Sequence, residues 1–192
     1  TRTQTSSPVA EATREEVRLA PEQTVLIDNI EDSSADETPV TSRPPSVSSL
    51  LEITLIVPFD PAGNDQLEHP EKTDLINNDD ASTGWYTERY TTSNFGNLKD
   101  GVGLIITLGP PQHIDRLRIS SPTINWSFDI FASQESTGTY NKWGKAIASR
   151  TDISGSLTVN LDGAEAATLL LWITDLGKEL PAGGHRVTIT EL

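Results

Sequence analysis

From about residue 51 onward, short apolar stretches are cut roughly every 8 to 12 residues by Gly, Pro, Asn or Asp, a spacing that leaves no room for a helix of ordinary length. No sustained helical period and no internal repeat appears. This punctuation predicts an all-β sandwich or jelly roll of about nine strands. LEITLIVPFDP opens the series, with Leu51, Ile53, Leu55 and Val57 alternating on one face and Pro58 expected to stop the strand. GWYTERY follows, with Trp85, Thr87 and Arg89 expected on one face and Tyr86, Glu88 and Tyr90 on the other. VGLIITLG is apolar almost without interruption, as expected of a strand buried on both faces. After the Gly109-Pro110-Pro111 break come HIDRLRIS, then WSFDIFAS with Trp126, Phe128 and Ile130 on one face. KAIASR, GSLTVNLD, ATLLLWITDL and HRVTITEL complete the count. One short helix is expected near Pro70, with Glu71 in its first turn.

The first 49 residues are of another kind. They hold nine acidic and four basic residues, many Ser, Thr and Pro, and no aromatic. Such a stretch buries too little apolar surface to offset the entropy of ordering it, so residues 1–49 are expected to be a flexible acidic linker and residues 50–192 the folded domain. Within the leader, Val17, Leu19, Val25, Leu26 and Ile30 form the one apolar set able to pack in extended form, since Pro21 interrupts any helix there. The chain contains no Met, even at position 1, and is expected to be a piece of a longer protein whose upstream part exports it and tethers it to a membrane.

Charge and composition exclude several chemistries. Twenty-eight acidic against 14 basic residues give a formal charge of −14, which argues against nucleic acid or an anionic membrane surface as partner. Absence of Cys removes disulfides, thiolate metal sites and thiol nucleophiles together. His69, His113 and His185 are too far apart for a zinc motif, and there is no G-x-S-x-G and no phosphate-cradling Gly loop. Carboxylates do cluster, at Asp79 and Asp80 and across Asp60, Asp65, Glu68 and Glu71. In polar loops these are expected to be turn formers or ligands of a hard cation, with a glycosidase acid/base pair as the other use of two nearby carboxylates. Among the aromatics, Trp85, Trp126, Phe128 and Trp172 lie in strand patterns and are expected in the core. Tyr86, Tyr90, Phe95, Tyr140 and Trp143 fall on or beside loops near Arg89, Asn97 and Asn141. Aromatic faces next to planar amide and guanidinium groups suit a sugar, so these eight residues are the candidate ligand-binding set.

The segment INNDDASTGWYTERY resembles the D-G-D-x-x-T-x-W turn-to-strand signature of galactose-binding-like domains, the discoidin and coagulation-factor C-type group. Asn78 stands at the first Asp of that signature, Asp79 at the Gly, Asp80 at the second Asp, Thr83 at the Thr and Trp85 at the Trp. The resemblance implies a galactose-binding-like jelly-roll β-sandwich and a structural calcium held by Asn78, Asp80, Thr83 and Glu191. A narrower likeness runs through FDPAGNDQLEHPE and DDASTGWYTERYTTSNFGNLKDGVGLIITLG. These segments resemble the extracellular C-terminal domain of actinobacterial MurJ/MviN-type lipid II flippases, and sensor domains of some bacterial membrane-anchored Ser/Thr kinases. The likeness implies a noncatalytic module on the outer face of the cell membrane in peptidoglycan synthesis, meeting a cell-wall glycan, a peptidoglycan precursor or another envelope protein. An accessory module of a glycan-active enzyme and a plain spacer are the competing expectations.

Overall fold

The computed structural model describes residues 49–64, 68–135 and 137–192. The expected linker over residues 1–49 therefore lies outside the described residues except for Ser49, as does Asp65 of the carboxylate set.

Among the described residues, seven strands form a sheet of five and a sheet of two: β1 (Leu55–Phe59), β2 (Trp85–Tyr86), β3 (Val102–Ile119), β4 (Ile124–Ser133), β5 (Ala148–Ser154), β6 (Leu157–Asp175) and β7 (Thr188–Ile189). The larger sheet has the order β1-β3-β6-β4-β5, and every pairing is antiparallel. Short 3-10 turns cover Pro70–Leu75, Phe95–Asn97 and Tyr140–Lys142, the first of them where Pro at a helix start was expected. The count falls short of the nine or so expected because β3 and β6 each join two of the expected strands. Residues 102–107 of β3 pair with 168–173 of β6, while residues 112–119 pair with 157–166. The ladder breaks between Thr107 and Gln112, where Gly109 takes φ 93° and two prolines follow. The expected Gly-Pro-Pro break is thus a bulge inside one long strand, since prolines at a bulge owe the ladder no N–H. Beyond the bend, Ser120 bridges Glu191, which joins the far half of β3 to the end of the β7 segment and so to β2.

Over residues 102–108 of β3 and 166–173 of β6, both faces of the pair are apolar, and both are covered. Val102, Leu104 and Ile106 of β3, with Leu169, Leu171 and Ile173 of β6, point into the main core with Trp85, Trp126 and Phe128. Ile105, Leu170 and Trp172 point the other way and are sealed by Phe59, Phe131 and Trp143 in a second cluster, with Tyr140 packed on it. This explains the unbroken apolar runs: strand alternation here separates two buried faces, not a wet one from a dry one. The four aromatics expected in the core, Trp85, Trp126, Phe128 and Trp172, are all buried.

Three local expectations are corrected. Pro58 does not end β1 but lies within it, opposite Leu104, and is tolerated because β1 is an edge strand whose outer side needs no donor. That strand starts at Leu55, so Leu51 and Ile53 pack on the core from outside it. GWYTERY is regular only over Trp85–Tyr86. Its alternation holds for Trp85 and Thr87, both buried, and fails after Glu88, where Arg89 is exposed and Tyr90 turns inward.

Close approach of β6 fixes one residue type. A Cβ on Gly103 would lie 2.3 Å from the Leu171 carbonyl oxygen, whereas one on Gly138 would meet nothing within 4 Å. Gly103→Ala is expected to lower the unfolding free energy in urea by about 1–3 kcal/mol. Gly138→Ala is expected to stay within about 0.5 kcal/mol of the parent.

Candidate functional site

At the end of the larger sheet where β1 and β6 finish and β3 begins, a cleft of about 550 Å³ opens between the turn after β1, the loop before β3 and Thr174 of β6. This is the size range of small-ligand sites. Ala62 forms one wall; Asn94, Phe95, Asn97, Leu98, Lys99 and Asp100 form the other.

The loop before β3 owes its shape to its composition. Phe95, Gly96 and Asn97 take φ values of 58°, 63° and 59°, three left-handed residues in succession. Gly adopts this freely and Asn tolerates it, but Phe95 carries strain that packing must offset. Its ring is 1% exposed and meets Tyr90 edge-on at 5.1 Å between centroids. Gly96 N–H donates to Thr92 Oγ1 at 3.0 Å, and Asn94 Nδ2 donates to Asn97 Oδ1 at 2.6 Å. The two amides are therefore held side by side at the mouth of the cleft. Leu98 beside them is 78% exposed, an unusual position for a leucine.

Beneath the cleft lies a buried charge cluster. Lys99 Nζ pairs with Asp60 and sits 3.4 Å from Glu68 Oε1; the two carboxylate residues are 2% and 1% exposed. Asp60 Oδ1 also accepts from the N–H groups of Ala62 and Gly63 at 3.2 and 3.0 Å, which shapes the opposite wall. Glu68 accepts from the Tyr90 hydroxyl and from Glu88 N–H, and its own carbonyl accepts from Trp85 Nε1 at 2.6 Å. Burial pushes the Glu68 carboxyl above its ordinary value despite the hydrogen bonds from Tyr90 and Glu88 and the charge of Lys99, which act the other way. Burial, and then the bond to Glu68, push the Tyr90 phenol up as well. Asp60 forms a turn as expected, through Ala62 and Gly63, but the polar-loop reading is corrected in one respect: Asp60 and Glu68 are both buried, beside Lys99.

The eight ligand-binding candidates divide. Asn97 lies in the cleft, and Phe95 lines it while its ring is spent on the core. Tyr90 and Trp143, at 9% and 3% exposure, are core residues and not rim aromatics. Tyr90 is drawn in by Glu68, and Trp143 seals the outer face of the sheet. Tyr140 is half-buried on Trp172, ring centroids 4.4 Å apart, with Asn141 exposed next to it. Burial first, and then the charges of Asp129 and Asp100, raise the Tyr140 phenol, so its hydroxyl lies within the field of the cleft's Asp100. Arg89 is exposed away from the cleft, and Tyr86 belongs to a separate surface group. The Arg186 guanidinium lies 4.4 Å from the centre of the Tyr86 ring, and His69, 4.8 Å from that ring, bridges Glu71 and Glu88 at 3.3 Å each. His113 and His185 face backbone carbonyls of Gly163 and Gly177. Of this wall the sequence marked Phe95 and Asn97 and missed Asn94, Lys99 and Asp100, while the Asp-Pro-Ala-Gly turn at 60–63 was readable as a turn.

The four calcium candidates are only partly brought together. Asn78 Nδ2 donates to Thr83 Oγ1 at 2.8 Å, Asn78 Oδ1 accepts from Asp80 N–H at 3.0 Å, and Asp80 Oδ1 accepts from Ser82 N–H at 2.9 Å. Glu191 turns instead to Ser120 Oγ at 3.1 Å. Among the described residues no three acidic or imidazole groups are placed to share a cation. Asn78, Asp80 and Thr83 are thus gathered in one hydrogen-bonded loop, with the Glu191 side chain turned to Ser120.

No family model matches the chain, and no curated protein sequence matches it. Solved structures do. Chitosan-binding module 2 of the chitosanase/glucanase from Paenibacillus sp. IK-5, in complex with chitotriose, aligns with a TM-score of 0.51 at 15% identity, over 71% of this chain and 92% of that one. Truncated AlyQ, with CBM32 and alginate lyase domains, aligns with a TM-score of 0.50 at 12% identity, over 73% of this chain and 31% of that one. The fold is the galactose-binding-like jelly roll. A Ruminococcus gnavus GH29 fucosidase in complex with fucose also aligns, with a TM-score of 0.45 at 15% identity over 62% of this chain, which spans only 21% of the fucosidase.

Two measurements check this site. With the Glu68 carboxyl raised, the native state holds a proton that the unfolded chain has lost at pH values between the two, so stability falls as pH rises through that interval. Urea unfolding is expected to show the domain more stable just above the ordinary carboxylate range than at neutral pH, and Glu68→Gln to flatten that slope. Asp80 works in the opposite sense at lower pH: hydrogen bonds from Ser82 lower its carboxyl, and that contribution is lost as pH falls through the lowered value. The second measurement is the melting temperature in calcium. An ion bound at about 100 times its dissociation constant adds about 2.7 kcal/mol, so a rise in millimolar calcium relative to chelator is the result expected of an ion in the loop before Trp85, and no rise removes that site.

Proposed function

We propose that this domain is a noncatalytic saccharide-binding module and that its ligand enters the cleft between the turn after β1 and the loop before β3. The observation that carries the reading is the cleft itself: paired amides, an exposed leucine and Thr174, set at one end of a rigid sandwich. Recognition on such scaffolds falls to loops, because the strands are committed to the core. Planar amides meet the donor and acceptor needs of sugar hydroxyls, and an apolar patch meets a pyranose face. Two neighbours in fold support the reading, one named for chitosan binding and one carrying a CBM32 domain. Asp60 and Glu68, two carboxylates that share Lys99, are buried on it, which favours a binding role over a catalytic one.

We further propose that the module stands on the outer face of a cell membrane, as the ectodomain of a lipid II flippase of the MurJ/MviN type or of a membrane-anchored Ser/Thr kinase, and meets a neutral or amine-bearing wall saccharide. The segment likenesses in residues 59–109 and the acidic leader support this host. The full-length gene, read for membrane spans upstream, tests it.

Ligand binding is tested by titrating peptidoglycan fragments and chito-oligosaccharides while following backbone amide shifts. The expected result is a set of shifts at Ala62, Asn94, Asn97, Leu98 and Thr174, weakened by Asn97→Ala. Shifts confined to the Tyr86 and Arg186 surface, or none at millimolar ligand, would remove the cleft as a saccharide site and leave a protein partner as the better reading.

A further inference from the structure

We propose that the cleft selects saccharides that carry a free amine and that Asp100 is the residue that reads it; this inference rests on the saccharide-binding reading above. Two charged side chains line the cleft, Lys99 and Asp100. Lys99 looks like the group to hold an acidic sugar, yet its side chain is only 11% exposed and its ammonium is already paired with Asp60 and Glu68. One ammonium against two carboxylates leaves the buried cluster with an excess of negative charge whenever Glu68 is ionised. A uronate entering the cleft therefore meets no available cation and approaches two buried carboxylates.

Asp100 is placed differently. It is exposed at the rim, at the end of the wall that carries Asn94 and Asn97, and its charge reaches the phenol of Tyr140. A protonated sugar amine is a compact donor, and a carboxylate is its strongest neutral-pH acceptor. The summed charge of −14 adds a long-range attraction of the same sign. The two groups therefore split the work: Lys99 positions the wall from below, and Asp100 presents the charge that a ligand feels.

The test compares three trimers on the intact domain by calorimetry at low ionic strength: chitotriose, its fully N-acetylated counterpart and trigalacturonate. Chitotriose is expected to bind about fivefold more tightly than the acetylated trimer, the size of one solvent-screened charge contact, and trigalacturonate most weakly. That preference is expected to shrink as pH rises and the sugar amines lose their protons, and to vanish in Asp100→Asn. Equal affinities for the two chito-trimers would overturn amine selection while leaving the saccharide site standing. A chitotriose preference that survives in Asp100→Asn would overturn the assignment to Asp100. Binding of none of the three would overturn the reading on which the inference rests.

Discussion

A central pair of strands with two apolar faces decides what the loops of this domain are free to do. Facing the core, β3 and β6 bury Leu104, Ile106, Leu169 and Leu171; facing outward they present Ile105, Leu170 and Trp172, which water would otherwise meet. Some other part of the chain has to cover that second face. The connection between β4 and β5 does so by laying Trp143 and Tyr140 across it. Burying a side chain of that size contributes on the order of 2–3 kcal/mol, so these aromatics are held by the fold before any ligand arrives. Their loop resembles a recognition loop in sequence and acts as a third layer in structure.

A second constraint acts at the cleft end. The turn after β1 and the loop before β3 contribute no strand, so hydrogen-bonded ladders do not fix their separation. The Asp60, Lys99 and Glu68 cluster fixes it instead, because Asp60 shapes the turn through Ala62 and Gly63 while Lys99 belongs to the other wall. An ion cluster this deep gains little net stability over an apolar replacement, but losing one member leaves a bare charge in the core and costs about 3–5 kcal/mol. Its effect is therefore closer to a lock than to a glue. Tyr90 shows how far the lock extends: it leaves the alternation of its strand to reach Glu68 and then carries the strained Phe95 on its ring edge.

Periodic features of this architecture were legible in the sequence, and contacts between distant loops were not. Alternation and turn spacing are local properties, so the all-β class, the paired runs in β3 and β6 and the core positions of Trp85, Trp126, Phe128 and Trp172 followed directly. Pro58 misled because an edge strand and a strand end look alike in one dimension. The charge cluster joins residues 39 and 31 positions apart, and nothing around Lys99 in NFGNLKDG marks it as the partner of two earlier carboxylates. Phe95 and Trp143 were misplaced for a related reason. A loop aromatic is exposed or buried according to where the loop folds back, which depends on the face needing cover and not on the residues beside it.

These constraints together limit the kind of binding the cleft can offer. With Tyr90, Phe95 and Trp143 committed to the core, and Tyr86 held between Arg186 and His69, the cleft has no free aromatic face on which to stack a sugar. Recognition is left to hydrogen bonds from Asn94, Asn97 and Thr174, one carboxylate and the exposed Leu98. Each hydrogen bond replaces one to water and nets only about 0.5–1.5 kcal/mol. Three or four of them sum to at most about 6 kcal/mol, and the loss of free motion on association takes several kcal/mol of that, so the complex is millimolar or weaker. Affinity of that order is of little use to a module that must find a soluble ligand, and ample for one held beside a polymer, where repeated sites and tethering raise the effective concentration to the same millimolar range. For the saccharide module proposed above, a polar cleft of this kind fits a polymeric ligand with repeated sites better than a free monomer.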